Sequence, residues 1–154
     1  MLSRLRYGWS IALAAACQPH PPADPFPGPV KAAEFGIFYG GQVQERDVIP
    51  LELDRAKQSQ GIRIDFDAPL TVPARVTWEL DIPGTTRGVR DLAGRRGKGR
   101  LVKLDEALVP VGRGRFEHEI VFRPDDPVGM WNLRVRVDGR VVIDRPFEVR
   151  PPDE

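Results

Sequence analysis

The feature that most constrains the fold is a long alternating stretch near the end of the chain, residues 129–143. Apolar residues occupy every second position from Trp131 to Val137, and polar residues lie between them. This alternation is the pattern of a β-strand with one buried face and one solvated face. Asp138 and Gly139 follow, and both tolerate the positive φ angles of a tight turn. The stretch therefore predicts two antiparallel strands joined as a hairpin.

The length of the hairpin loop decides which residues of the two strands face each other. A two-residue loop over 138–139 would pair odd positions with even ones and turn the apolar residues of the second strand to the wrong face. A three-residue loop over 137–139, with Gly139 as the bulge residue, pairs Val135 with Val141 and Leu133 with Ile143. We therefore predict the three-residue loop. It keeps together the apolar residues that follow the turn, which all have odd numbers: Val141, Ile143, Phe147 and Val149.

Shorter alternating segments occur through the rest of the chain, and the clearest runs from Val76 to Ile82. A weaker segment contains Pro50, which favours either the edge of a sheet or a bend. No segment keeps the 3.6-residue period of a helix, and the 16 prolines and 15 glycines indicate many turns. We predict an all-β fold, an immunoglobulin-like antiparallel β-sandwich of about seven or eight strands, with Trp78 and Trp131 in its interior. The strands are expected near 34–39, 48–53, 62–66, 75–82, 101–104, 116–122, 131–137 and 141–149.

The first 17 residues resemble the signal of a bacterial lipoprotein. Arg4 and Arg6 precede a short apolar run, and three alanines lead directly into Cys17. The run is too short to span a bilayer, which takes about 20 apolar residues. In lipoproteins the cysteine thiol is lipidated and the chain is cut just before it, so the resemblance implies a membrane anchor on Cys17. An ordinary signal-peptidase cut after Ala16 is the alternative.

These features divide the chain into a signal peptide (1–16), a lipidated cysteine with a proline-rich tether (17–29), a β-sandwich domain (30–150) and a tail (151–154). Six of the 12 residues from 18 to 29 are proline. Such a segment favours polyproline II, at about 3.1 Å per residue, and would hold the domain about 37 Å from its anchor. Glutamine after the cysteine resembles the outer-membrane sorting pattern. We expect an exported envelope lipoprotein in the outer membrane, facing the periplasm.

Short motifs at the start, in the middle and near the end of the expected domain resemble a family of short bacterial domains of unknown function. They are Phe35-Gly36-Ile37-Phe38-Tyr39, Trp78-Glu79, Gly129-Met130-Trp131, Asp138-Gly139-Arg140 and Phe147-Glu148-Val149. Members of that family open with a Gly-Ile-Tyr-like strand and close with a Gly-x-Trp strand and a final Phe-x-Val. The resemblance covers roughly residues 33–149. It implies a β-rich exported domain and transfers no catalytic residue.

Few residues of the chain are suited to catalysis. Ser59 is the only serine outside the signal, and no Gly-x-Ser-x-Gly motif surrounds it. Glu117 and Glu119 flank His118, but neighbouring side chains on a strand point to opposite faces, so His118 cannot share a metal with either. His118 lies on the same face of its expected strand as the apolar residues, and it is therefore predicted to be half-buried. A single cysteine excludes an internal disulfide and a multi-thiolate zinc site. We predict no enzymatic activity, no cofactor and no metal.

The segment 87–103 is rich in positive charge and glycine. It has seven basic residues and a single acidic one, Asp91, and its glycines leave backbone amides accessible. Such a loop could bind the phosphates of lipid headgroups or an anionic polymer, and the alternative is a solvated connection. It has no interleaved aromatic residues for stacking on bases, so we expect no nucleic-acid binding. The candidate anion-binding residues are Arg87, Arg90, Arg95, Arg96, Lys98, Arg100 and Lys103.

Taken together, the sequence predicts a lipid-anchored β-sandwich of the cell envelope that acts as a binding or accessory module. Its expected partners are the membrane, through the lipid on Cys17, and an envelope protein or anionic polymer. Removal of the signal leaves 21 basic and 22 acidic side chains, so no overall charge attracts nucleic acid. A passive structural domain of an envelope assembly and a hydrolase with an unrecognised site are the alternatives.

Overall fold

Strands joined by turns and short loops make up the described part of the chain. The computed structural model describes residues 28–84 and 101–152. In these two ranges there are nine strands: β1 (Val30–Tyr39), β2 (Gln42–Glu45), β3 (Val48–Pro50), β4 (Gln60–Phe66), β5 (Ala74–Ile82), β6 (Leu101–Val109), β7 (Arg115–Glu119), β8 (Gly129–Val137) and β9 (Arg140–Arg150). The one strand that was not predicted is β2. Its sequence, Gln-Val-Gln-Glu, has a single apolar residue and therefore no alternation.

The strands form two sheets packed face to face. The four-stranded sheet has the order β2-β1-β4-β7, and the five-stranded sheet has the order β3-β9-β8-β5-β6. All pairs are antiparallel except β3 and β9. The predicted fold class, an all-β sandwich, is confirmed. The prediction for Pro50 is also confirmed, because it lies in the edge strand β3, where its missing N–H costs least.

The core lies between the sheets and is built from the alternating residues. Every second residue of β5 and of β8 is buried, including Trp78 and Trp131, as predicted. Phe35 of the four-stranded sheet meets Phe147 of the five-stranded sheet with ring centroids 4.7 Å apart. The largest fully buried side chains come from both sheets: Trp131, Phe35, Phe147, Ile49, Ile62, Ile64, Ile82, Leu133, Val76, Val135 and Val149.

The hairpin between β8 and β9 closes differently from the prediction. Val137 pairs with Arg140, so the loop has two residues, and both have positive φ: 48° at Asp138 and 81° at Gly139. The three-residue loop is therefore wrong. The register shifts between Val135 and Arg136, so that Val135 pairs with Ile143 and not with Val141. A β-bulge, which adds one residue to one strand, restores the odd-to-odd pairing that the loop length alone would have broken.

Residues 102–105 of strand β6 carry their apolar side chains in the opposite phase from the other strands, whereas Val109, at the end of β6, pairs with Ala74 and is buried. Asp105 pairs with Trp78 and Lys103 with Leu80, so both charged side chains share the inner face of the sheet with buried residues. The outer face carries three exposed apolar side chains instead: Val102, Leu104 and Leu108.

Among the described residues, no helix is long and apolar enough to cross a membrane.

Candidate functional site

The two sheets leave a cleft where their edges meet. Strand β6 is one edge of the five-stranded sheet, and β7 is one edge of the four-stranded sheet. Between β6 and the segment 118–126 lies a cleft of about 550 Å³, which we call the edge cleft. Its lining combines apolar and charged side chains: Trp78, Leu80, Val102, Lys103, Leu104, Asp105, His118, Glu119, Ile120, Val121, Arg123, Asp126 and Trp131. A concave site with an apolar base and converging polar groups is the usual form of a binding site.

The base of the edge cleft is part of the hydrophobic core. Trp78, Leu80, Ile120 and Trp131 line it, and all four are buried. The indole N–H of Trp131 donates a hydrogen bond to the carbonyl oxygen of Pro127, 2.9 Å away. This bond satisfies the one polar atom of a buried indole and fixes the orientation of its ring. The base is therefore well packed, and its indole N–H has a partner.

A partly buried ion pair ties β6 to the opposite wall. The Lys103 ammonium lies 2.8 Å from Asp126 Oδ1, and the side chain of Asp126 is only 7% exposed. The backbone N–H of Arg123 donates to Asp126 Oδ2 at 2.8 Å, so both carboxylate oxygens have partners. The Lys103 ammonium also lies 5.9 Å from the centre of the Trp131 ring, within cation–π range. Lys103 therefore holds the segment that leads from β7 to β8 against the five-stranded sheet.

His118 lies in the cleft with its ring against Trp78. The ring centroids are 4.1 Å apart, with 37° between the planes. His118 is half-buried, as its phase predicts. Burial disfavours the imidazolium and lowers the pKa of His118 below its ordinary 6.5, although the charges of Asp105 and Glu119 act in the opposite direction. The ring is therefore neutral at neutral pH.

We expect His118 to make the fold weaker in mild acid. Because its pKa is lower folded than unfolded, the unfolded chain binds the proton more readily. Stability is then complete above 6.5 and is lost as the pH falls through that value towards the folded pKa. The test is the melting temperature between about pH 5.5 and 7.5, where His is the side chain that ordinarily titrates.

The matched variants for this test are His118→Phe and His20→Asn, since the chain has two histidines. His118→Phe should flatten the pH dependence, and His20→Asn should leave it unchanged. If the melting temperature changed with pH equally in the wild type and in His118→Phe, His118 would not be the cause of the pH dependence.

The glutamates beside His118 point away from it and pair with arginines. Arg63 Nε lies 2.7 Å from Glu117 Oε1, and Arg55 pairs with Glu119. The pKa of Glu119 is lowered, first by its hydrogen bond from Arg55 and also by one from Ser59. Ser59 is thus bound to a residue of the outer face of the sheet, whereas His118 lies on the inner face. The structure does not bring Ser59 and His118 together.

The rim of the edge cleft carries exposed apolar side chains. Val102 and Leu104, which line the cleft, are 56% and 68% exposed, and Leu108, further along the outer face of β6, is 66% exposed. Val121, on the opposite rim, is also exposed. The sequence could not reveal this site, because alternation within β6 does not say which face of the strand is inward.

Most of the residues singled out from the sequence lie outside the described ranges. These are Cys17 and six of the seven basic residues: Arg87, Arg90, Arg95, Arg96, Lys98 and Arg100. Lys103, the seventh, lies on β6 and is bound to Asp126. Lipidation of Cys17 and anion binding by the basic segment stay predictions.

Comparison with protein-family models and with curated proteins finds no match. Among solved structures, the chain is similar to an immunoglobulin-like protein from Pseudomonas aeruginosa, with 21% identity and a TM-score of 0.47 over 77% of this chain and 91% of that one. It is also similar to part of the alkylpurine DNA glycosylase AlkC of Pseudomonas fluorescens, bound to DNA containing an abasic site analog, with 17% identity and a TM-score of 0.41. The second similarity covers 79% of this chain and 30% of AlkC. Both TM-scores lie below 0.5, and neither likeness bears on the function of this chain.

Proposed function

We propose that this protein is a lipid-anchored binding module of the cell envelope that binds an extended polypeptide segment as an added strand on β6. The observation that carries the proposal is the free edge of β6. This strand has nine residues and, among the described residues, pairs with β5 alone. An edge strand presents unpaired backbone N–H and C=O groups to any chain that can lie beside it.

The side chains of β6 suit strand addition. Globular proteins usually protect an edge strand with charged side chains, and β6 has two of them, Lys103 and Asp105, on its inner face. On its outer face, however, Val102, Leu104 and Leu108 are exposed beside one charged side chain, Glu106, which pairs with Arg75. An added strand would cover this apolar row with every second side chain and would point the others towards the edge cleft. Backbone hydrogen bonds then give affinity, and the cleft gives selectivity for side chains.

The ionic groups of the cleft favour a segment with charges of both signs. Lys103 and Arg123 are basic, whereas Asp105 is acidic, and all three line the cleft. Asp126 also lines the cleft, but its side chain is nearly buried and is already paired with Lys103. A bound strand with an acidic and a basic side chain on its inner face would meet complementary charges, which fix its register more than they add affinity.

The binding prediction is tested by cross-linking in cells. A photo-activated amino acid at position 104 should form a covalent adduct with a polypeptide, because the added strand would lie beside it. The same amino acid at Val72, which is equally exposed but lies outside β6, is the control. Adducts at both positions in equal amount, or at neither, would contradict the proposal.

The anchor is tested separately. We expect Cys17→Ser to move the protein from the membrane fraction to the soluble fraction, because the substitution removes the thiol that would carry the lipid. The measurement is fractionation of cells that express the wild type or the variant. A variant that stays in the membrane pellet like the wild type would refute the anchor and leave the β6 proposal standing.

A further inference from the structure

We infer that the strand added to β6 is β6 of a second copy of this chain, antiparallel to the first and related to it by a two-fold axis at Leu104. This inference rests on the proposed function and names the partner of the same edge. It would join two five-stranded sheets into one continuous sheet.

Symmetry restricts the registers that β6 can adopt with itself. Opposite residues of an antiparallel pair lie on the same face of the sheet. With a two-fold axis perpendicular to the sheet, the axis must therefore pass through a residue and not between two residues. Registers centred on residues 104, 105 and 106 keep most of the strand paired, so they are the ones to compare.

The charges of β6 select one of these three registers. An axis at Asp105 places the two Asp105 carboxylates opposite each other, and an axis at Glu106 places the two Glu106 carboxylates opposite each other. An axis at Leu104 instead pairs Lys103 of each copy with Asp105 of the other. Opposite charges across a strand pair stabilise it and like charges destabilise it. The Leu104 register is self-complementary, and it also brings the two exposed Leu104 side chains together on the outer face.

Lys103 and Asp105 are free to make these pairs. Lys103 has three N–H donors, of which Asp126 takes one. Asp105 is exposed, and its described hydrogen bond uses only Oδ1, which accepts from the backbone N–H of Glu106 at 2.8 Å. The second copy would lie across the open side of the edge cleft. A second copy at this position would cover both the open side of the cleft and the exposed apolar side chains beside it.

Disulfide trapping tests the register directly. The protein has a single cysteine, so Cys17→Ser gives a background without cysteine. Leu104→Cys in this background should form a disulfide-linked dimer on oxidation, because opposite Cβ atoms lie about 4.5–5.5 Å apart. Leu108→Cys is the control, with the same strand, the same face and similar exposure. Its two sulfurs would lie about 27 Å apart in this register, at about 3.4 Å per residue, and should not cross-link.

A second pair of variants separates this register from its neighbours. Val102 of one copy should face Glu106 of the other, so a mixture of Val102→Cys and Glu106→Cys should cross-link into a heterodimer. Val102→Cys alone should not. Cross-linking of Leu108→Cys as strongly as Leu104→Cys, or none from Leu104→Cys, would overturn the inference.

Sedimentation equilibrium measures the same association without a covalent trap. The Cys17→Ser protein should be dimeric, and Leu104→Arg should weaken the dimer at least about tenfold, because two arginines would meet at the axis. Leu108→Arg should have a smaller effect. A monomer whose position 104 still cross-links to another polypeptide in cells would refute the second copy and keep the proposed function. A monomer with no adduct at position 104 would refute both.

Discussion

Replacing Trp131 with alanine is expected to lower the free energy of unfolding by about 3–5 kcal/mol, the largest loss we expect from truncating one side chain. Trp131 is 1% exposed. Its ring contacts Phe122 edge-on with centroids 5.5 Å apart, and it lies 5.9 Å from the ring of Phe147. A domain is typically stable by about 5–15 kcal/mol, so this loss removes a large part of the stability.

Denaturant unfolding of Trp131→Ala and Trp131→Phe measures the effect. Phenylalanine keeps most of the apolar volume but loses the hydrogen bond to Pro127, so its cost should be smaller. Met130→Ala is the matched control, because the neighbouring residue is 55% exposed on the outer face of the same strand. It should change stability by less than about 0.5 kcal/mol. A Trp131→Ala variant as stable as Met130→Ala would contradict the packing described here.

The interior position of Trp131 could be predicted because alternation in a two-sheet sandwich fixes which side of a strand is buried. The same reasoning succeeds for β5. In β4 it places Ile62, Ile64 and Phe66 in the core correctly, but Arg63, on the other face, is buried as well. It fails at the end of β1. Tyr39 has the phase of Phe35 but is 72% exposed, because it is the last residue of its strand and precedes the turn at Gly40 and Gly41.

The hairpin error has a specific physical cause. The prediction from alternation assumes that every residue of both strands is paired. Under that assumption only the length of the loop can decide whether odd positions face odd or even ones. In this protein the loop is the two-residue form with positive φ that Asp138 and Gly139 favour. The register instead shifts inside the ladder, next to Val135. A bulge leaves little trace in sequence, because the extra residue, Val142, is as apolar as its neighbours.

The edge cleft could not be predicted for a different reason. Its walls come from β6 of one sheet and from β7 of the other sheet with the segment that follows it, and sequence alternation does not say which strands become edges. Once Lys103 and Asp105 are known to face inward, their role changes. Lys103 is no longer the last residue of a basic loop but the partner of Asp126 and, in the inferred dimer, of Asp105 in the second copy.

The second large effect is expected at a glycine whose importance the sequence does not reveal. Gly61 lies in β4, between β1 and β7, and pairs with Gly36 and Glu119. A Cβ atom added there would lie 2.0 Å from the carbonyl oxygen of His118 and 2.9 Å from Phe38 Cε2. The ring of Phe38 could move, but the backbone oxygen belongs to the neighbouring strand. The alanine methyl group therefore requires β4 and β7 to separate.

We expect Gly61→Ala to destabilise the protein by about 3 kcal/mol or more, at the upper end of the cost of inserting atoms into a packed site. Gly114→Ala is the control, because its added Cβ would have nothing within 4 Å. Denaturant unfolding of the two variants gives the difference. Since β7 leads into the segment that walls the edge cleft, Gly61→Ala should also speed hydrogen exchange at the amide of Ile120, which donates to the carbonyl oxygen of Gln60 at 2.8 Å. If Gly61→Ala matched Gly114→Ala in both measurements, the close approach of β4 and β7 at this residue would be wrong.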